Sequence, residues 1–363
     1  MLWLLLFAPA ALILDVIEGM PAPAIFFCAA ISIVPIAKLI VEGTEAISEY
    51  TGPAIGGLLN ATFGNLPELI IAVVALRAGM VEMVRASLVG ALLANLLLAL
   101  GLSFLLGGLR YHVQDYNPLA ARAYASMMLL AVAGMALPSG FHQLFGVEKG
   151  FEHAVALDKG VAVVLLATYA LYLVYQLRTH KESFAQGEAA PAAGGAPAEA
   201  AGHGPHWGLP RAAGTLVAAS AAAAWMSEVL VGAAEATGHA LGMSPTFIGL
   251  ILLAIVGGAA ESGSAIAMAR KNKMDLSVGI ALGSCIQIAL FVAPVLALVG
   301  GLIGPKPFAL SFGRSEIGCL FVSVLLGGMV VGDGRSNWFK GVQLLAVYAM
   351  LAAVCYLVPT TAQ

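Results

Sequence analysis

Residues 64–77 read GNLPELIIAVVALR, and residues 257–270 read GGAAESGSAIAMAR. Each stretch carries one glutamate, Glu68 or Glu261, inside a run of apolar and small residues, and the two glutamates lie 193 positions apart. The chain therefore contains a weak internal repeat, and the glutamates occupy the same place in each copy. Other residues that recur at this offset are Ala72 with Ala265, Arg77 with Arg270, Gly90 with Gly283 and Glu42 with Glu235.

The composition is that of a membrane protein. Of the 363 residues, 60% are hydrophobic and only 10% are charged, and the mean hydropathy is +0.94. A soluble domain with this composition could not cover its surface with polar groups, so the expected surroundings are a lipid bilayer. The net charge is only -3 and the basic residues are scattered through short loops, so no nucleic-acid partner is predicted.

Apolar runs recur along the whole chain, and each is long enough to cross a hydrocarbon core of about 30 Å as a helix. The sequence therefore predicts an all-α polytopic membrane protein with about 11 transmembrane helices. The first residues, MLWLLLFAPAALIL, lack the basic leader and cleavage site of a signal peptide, so they are interpreted as a true first span. The predicted spans lie near residues 2–18, 24–47, 53–78, 84–109, 120–140, 156–178, 211–238, 245–270, 276–303, 315–332 and 338–358.

A polar segment divides the chain into two halves. Residues 179–210 include EAAPAAGGAPAEAAGHGPH, an Ala, Gly and Pro content typical of a hydrophilic linker. We expect one extra N-terminal helix in residues 1–20, a first five-helix repeat in 21–178 and a second five-helix repeat in 211–363. Five spans separate equivalent positions, so the two repeats are predicted to be inverted relative to each other in the membrane.

The loops give the predicted orientation. Lysine and arginine are more frequent in the loops on the side that holds the N-terminus and the linker. Cytoplasmic loops carry such an excess, so the N-terminus and linker are predicted to be cytoplasmic and the C-terminus to lie outside. The expected location is a bacterial-type inner membrane.

The two glutamates are costly in the positions that the sequence gives them. A charged residue at the centre of a membrane helix costs roughly 2.5 to 3.5 kcal/mol, so Glu68 and Glu261 must face the bundle interior, be neutralised, or both. Two carboxylates close together in a low dielectric cannot both stay ionised without a partner. A bound cation or a proton would neutralise them. The alternative for each is a protonated glutamate that only hydrogen-bonds to a neighbouring helix.

Backbone oxygens beside the glutamates could complete a cation shell. Ca2+ prefers about six to eight oxygen ligands, so two carboxylates need carbonyls, amides or water as well. Pro67 has no N–H, so the carbonyl of Phe63 loses its helical partner. Gly64, Gly257 and Gly258 let the backbone approach an ion closely. Close packing of small residues between helices explains each glycine equally well when it is taken alone.

Three amides in apolar runs are further candidates. Asn65 lies three residues before Glu68 on the same helical face, where it could ligate a cation or orient the carboxylate. Asn95 in the fourth span and Gln287 in the ninth are secondary candidates as polar or gating residues. Hydrogen bonding between helices is the rival explanation for all three.

Two acids near helix ends also follow the repeat. Glu42 and Glu235 lie towards the ends of the second and seventh spans. A gate or a cation-attracting role on an exit path is one interpretation, and a solvated acid is the other. Lys38 lies one turn before Glu42, so the two side chains are predicted to pair.

Longer stretches around both glutamates carry a family resemblance. Residues 64–101, GNLPELIIAVVALRAGMVEMVRASLVGALLANLLLALG, and 257–300, GGAAESGSAIAMARKNKMDLSVGIALGSCIQIALFVAPVLALVG, resemble the two signature repeats of the calcium/proton exchangers of the cation/calcium antiporter superfamily. The resemblance implies a secondary active transporter without a cofactor, not an enzyme. It further implies that Glu68 and Glu261 bind Ca2+ and protons in turn, and that Asn65 is the amide of the first repeat. The second and seventh spans would be the long mobile helices of the family.

The second motif departs from the family pattern. The family usually has Gly-Asn-Ala-x-Glu-His there, whereas this chain has Gly258 in place of the asparagine and Ser262 in place of the histidine. One amide ligand and one imidazole that titrates near neutral pH are therefore absent. The cation is left open by this change, and Na+, K+ or Mn2+ are alternatives to Ca2+.

Two other functional classes fit the sequence less well. Ser262 and Ser264 follow a glycine-rich turn and could suggest the nucleophile of an intramembrane enzyme, but the sequence has no HExxH or nucleophile-elbow motif. A passive channel fits less well, because buried acids that must be neutralised favour binding and exchange. The expected function is proton-driven Ca2+ export by alternating access. A homo-oligomer is compatible with the sequence.

Overall fold

The computed structural model describes residues 2–145, 147–180, 184 and 207–357. Of residues 52–55, 57, 61, 142–145 and 147–154, only the backbone is described. The greater part of the predicted linker, residues 185–206, lies outside the described residues.

The described chain is almost entirely helical. A 3-10 turn (Leu2–Leu6) precedes the first α-helix, and a π-helical turn (Tyr175–Thr179) follows α6. The helices are α1 (Phe7–Val16), α2 (Ala22–Phe63), α3 (Leu66–Arg77), α4 (Val81–Tyr111), α5 (Pro118–Phe145), α6 (Val147–Val174), α7 (Leu209–Leu241), α8 (Pro245–Gly257), α9 (Ala259–Arg270), α10 (Met274–Ile303), α11 (Arg314–Val331) and α12 (Trp338–Leu357).

The chain is a multi-pass membrane protein. Eight helices in the described part are long and apolar enough to cross a membrane, or nine if the bent pair α8 and α9 forms one span. The first predicted span, near 2–18, corresponds to the short apolar helix Leu2–Val16. At about 1.5 Å per residue it falls short of a hydrocarbon core of about 30 Å. The count of eleven spans therefore stays a prediction.

Helix α2 folds back on itself where the sequence predicted a boundary between two spans. A Cβ atom on Gly56 would lie 2.8 Å from the carbonyl oxygen of Ser48. In a straight helix, residues eight positions apart are about 12 Å apart. The chain therefore bends sharply between them, close to the TGP sequence at residues 51–53, because glycine and proline both weaken a helix.

The segments that carry the glutamates are broken helices. The predicted third and eighth spans were continuous, but the chain breaks at Gly64 and Asn65 in the first half and at Gly258 in the second. In the second half the two pieces differ in direction by 57°. After the break, Leu69 N donates to Asn65 O at 3.1 Å, and at the equivalent positions Ser262 N donates to Gly258 O at 2.9 Å. The two breaks are thus equivalent in sequence and in hydrogen bonding.

The helices that follow the two breaks also match. The π-helical turns Ala94–Ala99 in α4 and Ile288–Val292 in α10 lie at nearly equivalent positions. Between the repeats, α4 and α8 touch through their backbones, since a Cβ on Gly90 would lie 2.0 Å from Leu250 O. Only glycine fits at such an approach.

A short β-ladder departs from the all-α prediction. Strand β1 (Val113–Asp115) pairs antiparallel with β2 (Arg335–Asn337), with Gln114 opposite Ser336. Tyr116 N extends the ladder by donating to Gly334 O at 2.9 Å. The two loops need partners for their backbone groups, and at this end of the bundle they supply one another.

The two longest helices lie side by side. A Cβ on Gly43 of α2 would lie 3.3 Å from both Ala212 O and Leu216 Cβ of α7. Further along, Tyr50 donates to Trp207 O at 2.8 Å. The second and seventh predicted spans therefore pack against each other along the bundle.

Candidate cation site

Both glutamates begin a short helix that follows a break. Glu68 is the third residue of α3 and Glu261 is the third residue of α9. Their side chains are buried, with exposed fractions of 8% and 4%. The free N–H groups and the positive dipole end of a helix favour negative charge in the first turn, so each break provides an N-terminus that stabilises a carboxylate.

The broken helices bring the two halves into contact at this point. A Cβ on Gly257 would lie 3.1 Å from Glu68 Cγ and 3.5 Å from Glu68 Oε1, so the end of α8 packs directly on the first glutamate. Gly257 lies only four residues before Glu261, so this contact brings the second glutamate into the same part of the bundle. The pair that the repeat predicted is therefore adjacent in space.

Three buried amides lie beside the two helix breaks. Asn65 Nδ2 donates to Gln287 Oε1, which joins the break before α3 to α10. A Cβ on Gly258 would lie 3.7 Å from Asn95 Oδ1. All three amides are buried, with exposed fractions of 2% or less. The predicted amides therefore lie at the breaks that precede the two glutamates.

The oxygen atoms of this cluster lack protein partners. Both carboxylate oxygens of Glu68 and of Glu261, together with Asn65 Oδ1 and Asn95 Oδ1, are buried and make no hydrogen bond. Leaving a buried acceptor unsatisfied costs about 1 to 3 kcal/mol, and more for a charged group. Oxygen atoms from carboxylates and amides are the ligands that hard cations such as Ca2+ take. The donor set therefore suits a cation or protons.

The charge of the cluster comes from two acids. Among the described residues, no group of three or more His, Cys, Asp or Glu side chains is placed to hold a metal ion. Two carboxylates supplemented by amide oxygens give a site whose charge one divalent cation, or two protons, would balance.

The remaining candidates occupy different surroundings. Glu42 forms a 3.4 Å ion pair with Lys38, as the spacing predicted, and Glu235 is exposed on α7. Ser262 is half-buried on α9, next to Glu261. Helix α2 ends at Phe63, and its last hydrogen bond is donated by Gly64 N to Asn60 O at 2.8 Å. Pro67 has no N–H, so it cannot donate a hydrogen bond to the carbonyl of Phe63. Their parts in ion coordination remain predictions.

One neighbour of the site has no place in the sequence predictions. The ring of Tyr169 in α6 packs on Phe291, which lies one turn after Gln287 in α10, with centroids 5.9 Å apart. It belongs to neither signature stretch. A tyrosine in an apolar helix is an ordinary core residue in a sequence, and only the fold shows which helix its ring packs against.

A family model gives the chain its place among known proteins. The model for the sodium/calcium exchanger proteins matches residues 21–178 and 211–357, which are the parts of the chain on either side of the linker. The chain belongs to the sodium/calcium exchanger family. This chain is a membrane transporter of the calcium/proton exchanger type, not an enzyme.

Relatives of this exchanger cover nearly its whole length. A protein of Synechocystis sp. named Ca2+/H+ antiporter is 41% identical over 346 residues, which are 93% of this chain and 91% of the relative. The structure of native YfkE matches with a TM-score of 0.79 and 35% identity over 98% of this chain and all of that one. The crystal structure of the H+/Ca2+ exchanger CAX matches with a TM-score of 0.71 at 16% identity, over 98% of this chain and 90% of that one, and shows the fold.

Proposed function

We propose that this exchanger is a proton-driven Ca2+/H+ antiporter in which Glu68 and Glu261 together bind either Ca2+ or protons. The observation that carries the proposal is the cluster of buried oxygen atoms, from these two glutamates and from Asn65 and Asn95, that have no protein partner. The names of the relatives support the choice of ions.

The need to neutralise both carboxylates couples the Ca2+ flux to the proton flux. Ca2+ arriving from the cytoplasm displaces protons from the glutamates, and protons from the other side later displace Ca2+. Two uncompensated charges in the bundle interior are costly, so the site crosses the occluded state only when it holds a cation or protons. An empty, charged return is suppressed, and the two fluxes stay coupled.

Additional oxygen ligands complete the shell in this proposal. The carbonyl of Phe63 and the backbone at Gly64, Gly257 and Gly258 lie at the two breaks. The carbonyl of Gly258 accepts from Ser262 N and keeps a second lone pair that an ion could take. Discontinuous helices near the middle of the membrane are the way in which transporters present such groups to ions.

Alternating access follows from the two halves. We propose that residues 21–178 and 211–363 form inverted five-helix repeats after an extra helix in 1–20, with α2 and α7 as the moving helices. The matching breaks and π-helical turns support this arrangement. In the proposed orientation the N-terminus and the linker face the cytoplasm of a cell with an inner membrane, and Ca2+ leaves the cell. Glu42 and Glu235 would gate the path.

The experiment uses purified protein in proteoliposomes with an inside-acid pH gradient. Ca2+ uptake is measured for wild type, Glu68→Gln and Glu261→Gln, with Glu18→Gln as the matched control, because Glu18 is an exposed acid in the loop after α1. We expect gradient-dependent uptake in wild type and Glu18→Gln and none in the two site variants. Coupled uptake in either site variant would disprove the assignment. If excess Na+, K+ or Mn2+ dissipates the gradient and Ca2+ does not, the cation is a different one.

A further inference from the structure

The helix that carries Glu261 consists mostly of small residues. Most of α9 is Ala, Gly or Ser, and its larger residues are Glu261, Ile266, Met268 and Arg270. Small residues let helices approach closely, but they provide few side chains that interlock with a neighbouring helix. The break at Gly258 also separates α9 from the direction of α8 by 57°. The C-terminal end of α9 is therefore the place where its position along the helix axis can be fixed.

A buried glutamine from the first half holds that end. Gln114 of β1 is 2% exposed, and its Nε2 group donates to Ala269 O and to Asn272 Oδ1, both at 2.9 Å. A side-chain amide has two N–H donors on its nitrogen, so both are used. A Cβ on Gly107 would collide with Gln114 Oε1, so the amide lies directly against α4. The glutamine therefore joins α4, β1 and the end of α9 at one point.

Two more donors from the end of α4 reach the same helix terminus. Arg110 Nη1 and the hydroxyl of Tyr111 both donate to Arg270 O, each at 3.2 Å. These two hydrogen bonds lie at the surface, where water competes for the same groups, whereas those of Gln114 are longer-lived because they are shielded from solvent. Gln114 is thus the main polar attachment of α9 to the first half.

The other glutamate helix is held by packing instead. Helix α3 is rich in Leu, Ile and Val, and Leu76 near its end is fully buried. A Cβ on Gly304 would lie 2.7 Å from Leu76 O, and one on Gly300 would lie 3.3 Å from Leu76 Cδ2. The second half therefore holds the end of α3 by close steric contact, while the end of α9 depends on hydrogen bonds.

We propose that Gln114 is a positioning residue for cation binding, because its two hydrogen bonds fix the C-terminal end of α9 and thereby the place of Glu261 near the other end. The inference rests on the proposed function and adds a residue outside both signature stretches. Ala269 lies eight residues after Glu261, which is about 12 Å along a helix, so Gln114 does not touch the ion. A short helix moves as a rod, and Ca2+ takes its oxygen ligands at about 2.3 to 2.6 Å, so a small axial shift of α9 weakens binding.

The test compares Gln114→Leu with Lys340→Met in Ca2+ uptake under a fixed pH gradient. Lys340 is the matched control, because its Nζ donates to Val330 O at 2.9 Å near the end of α11, a helix that carries none of the predicted ligands. One hydrogen bond of ordinary strength corresponds to roughly a three- to tenfold change in an equilibrium constant. We therefore expect the apparent KM for Ca2+ to rise about three- to tenfold in Gln114→Leu at a similar maximal rate. Lys340→Met should keep the wild-type KM at a comparable melting temperature.

A second variant removes one of the two acceptors. Asn272 has a φ of 61°, which glycine adopts readily, so Asn272→Gly removes the side-chain oxygen and preserves the turn. We expect a smaller rise in KM than in Gln114→Leu. In the Gln114→Leu background, Asn272→Gly should cause no further rise, measured as uptake and as equilibrium Ca2+ binding to purified protein, because the interaction is already absent.

Three results would overturn the inference. They are a wild-type KM in Asn272→Gly, an equal rise in KM for Gln114→Leu and Lys340→Met, and additive effects of Gln114→Leu and Asn272→Gly. Absence of any Ca2+ uptake by wild type would instead refute the proposed function.

Discussion

The contact between Gly257 and Glu68 predicts a graded loss of Ca2+ affinity when a methyl group is added. In Gly257→Ala the new Cβ would lie 3.1 Å from Glu68 Cγ and 3.5 Å from Oε1. The first distance is shorter than an ordinary carbon contact of about 3.5 to 4.0 Å. The glutamate must therefore retreat by a few tenths of an ångström from the position that faces Glu261.

The size of the effect follows from the cost of overpacking. Extra methyl groups in a tight interior cost about 1 to 3 kcal/mol. Since Glu68 can turn about its own side-chain bonds, we expect the low end, which corresponds to roughly a five- to tenfold weaker apparent affinity for Ca2+. Ca2+ needs about six to eight oxygen atoms at once, whereas a proton binds a single carboxylate, so displacing one ligand weakens Ca2+ binding more than protonation.

The assay is Ca2+ uptake into proteoliposomes, with KM and maximal rate measured separately. Gly263→Ala is the control, because Gly263 is exposed on α9 and a Cβ there would meet nothing within 4 Å. We expect wild-type KM in Gly263→Ala and a raised KM in Gly257→Ala at similar protein stability. Identical KM values in the two variants would refute the contact as part of the site.

Two further predictions concern the scaffold. Gly90→Ala would place a Cβ 2.0 Å from the backbone oxygen of Leu250, so α4 and α8 must separate, and we expect the free energy of unfolding to fall by about 3 kcal/mol or more. The control is Gly160→Ala, because a Cβ on Gly160 would meet nothing within 4 Å. Gly90→Ala should have the lower melting temperature in detergent, and equal melting temperatures would contradict this. At the β-ladder end, partial burial alone would raise the pKa of Asp333, but hydrogen bonds from Lys340 and from the backbone N–H of Arg335 hold this pKa below its usual value. The stability that Asp333 contributes is therefore present above about pH 4 and is lost as the pH falls through its lowered pKa. Melting temperatures of wild type and Asp333→Asn should converge on acidification, and a constant difference would be evidence against the linkage.

The central pair could be predicted because the sequence isolates it. Glu68 and Glu261 are acids in apolar runs, and the common offset relates them without any knowledge of the fold. Their burial and mutual proximity follow from the cost of charge in a membrane. The glycines of the second motif were foreseen as points of close approach, and Gly257 does pack on Glu68.

The breaks and turns were predicted less well. Pro67 predicted a disturbed helix in the first half. The second half has no proline just before Glu261, yet the chain bends there by 57° at Gly258. The β-ladder joins two three-residue strands that are more than 200 positions apart. Strands of that length carry no usable alternation, so their pairing depends on where the helices place them.

The surroundings of Gln287 could be predicted only in part. Asn65 and Gln287 stood out as amides in apolar runs, whereas Tyr169 resembles a core aromatic residue and has no counterpart in the repeat. Its ring contact with Phe291 spans more than 100 residues of sequence, and it depends on how α6 packs on α10.

The exchange of protons for Ca2+ at Glu68 and Glu261 can be measured without transport. Ca2+ binding to the purified protein is titrated calorimetrically near neutral pH in two buffers that differ in ionisation enthalpy, which gives the number of protons released per ion bound. The account predicts proton release with wild type, and weaker binding with less release in Glu68→Gln and Glu261→Gln. Tight Ca2+ binding that releases no protons, or that is unaltered in both variants, would contradict it.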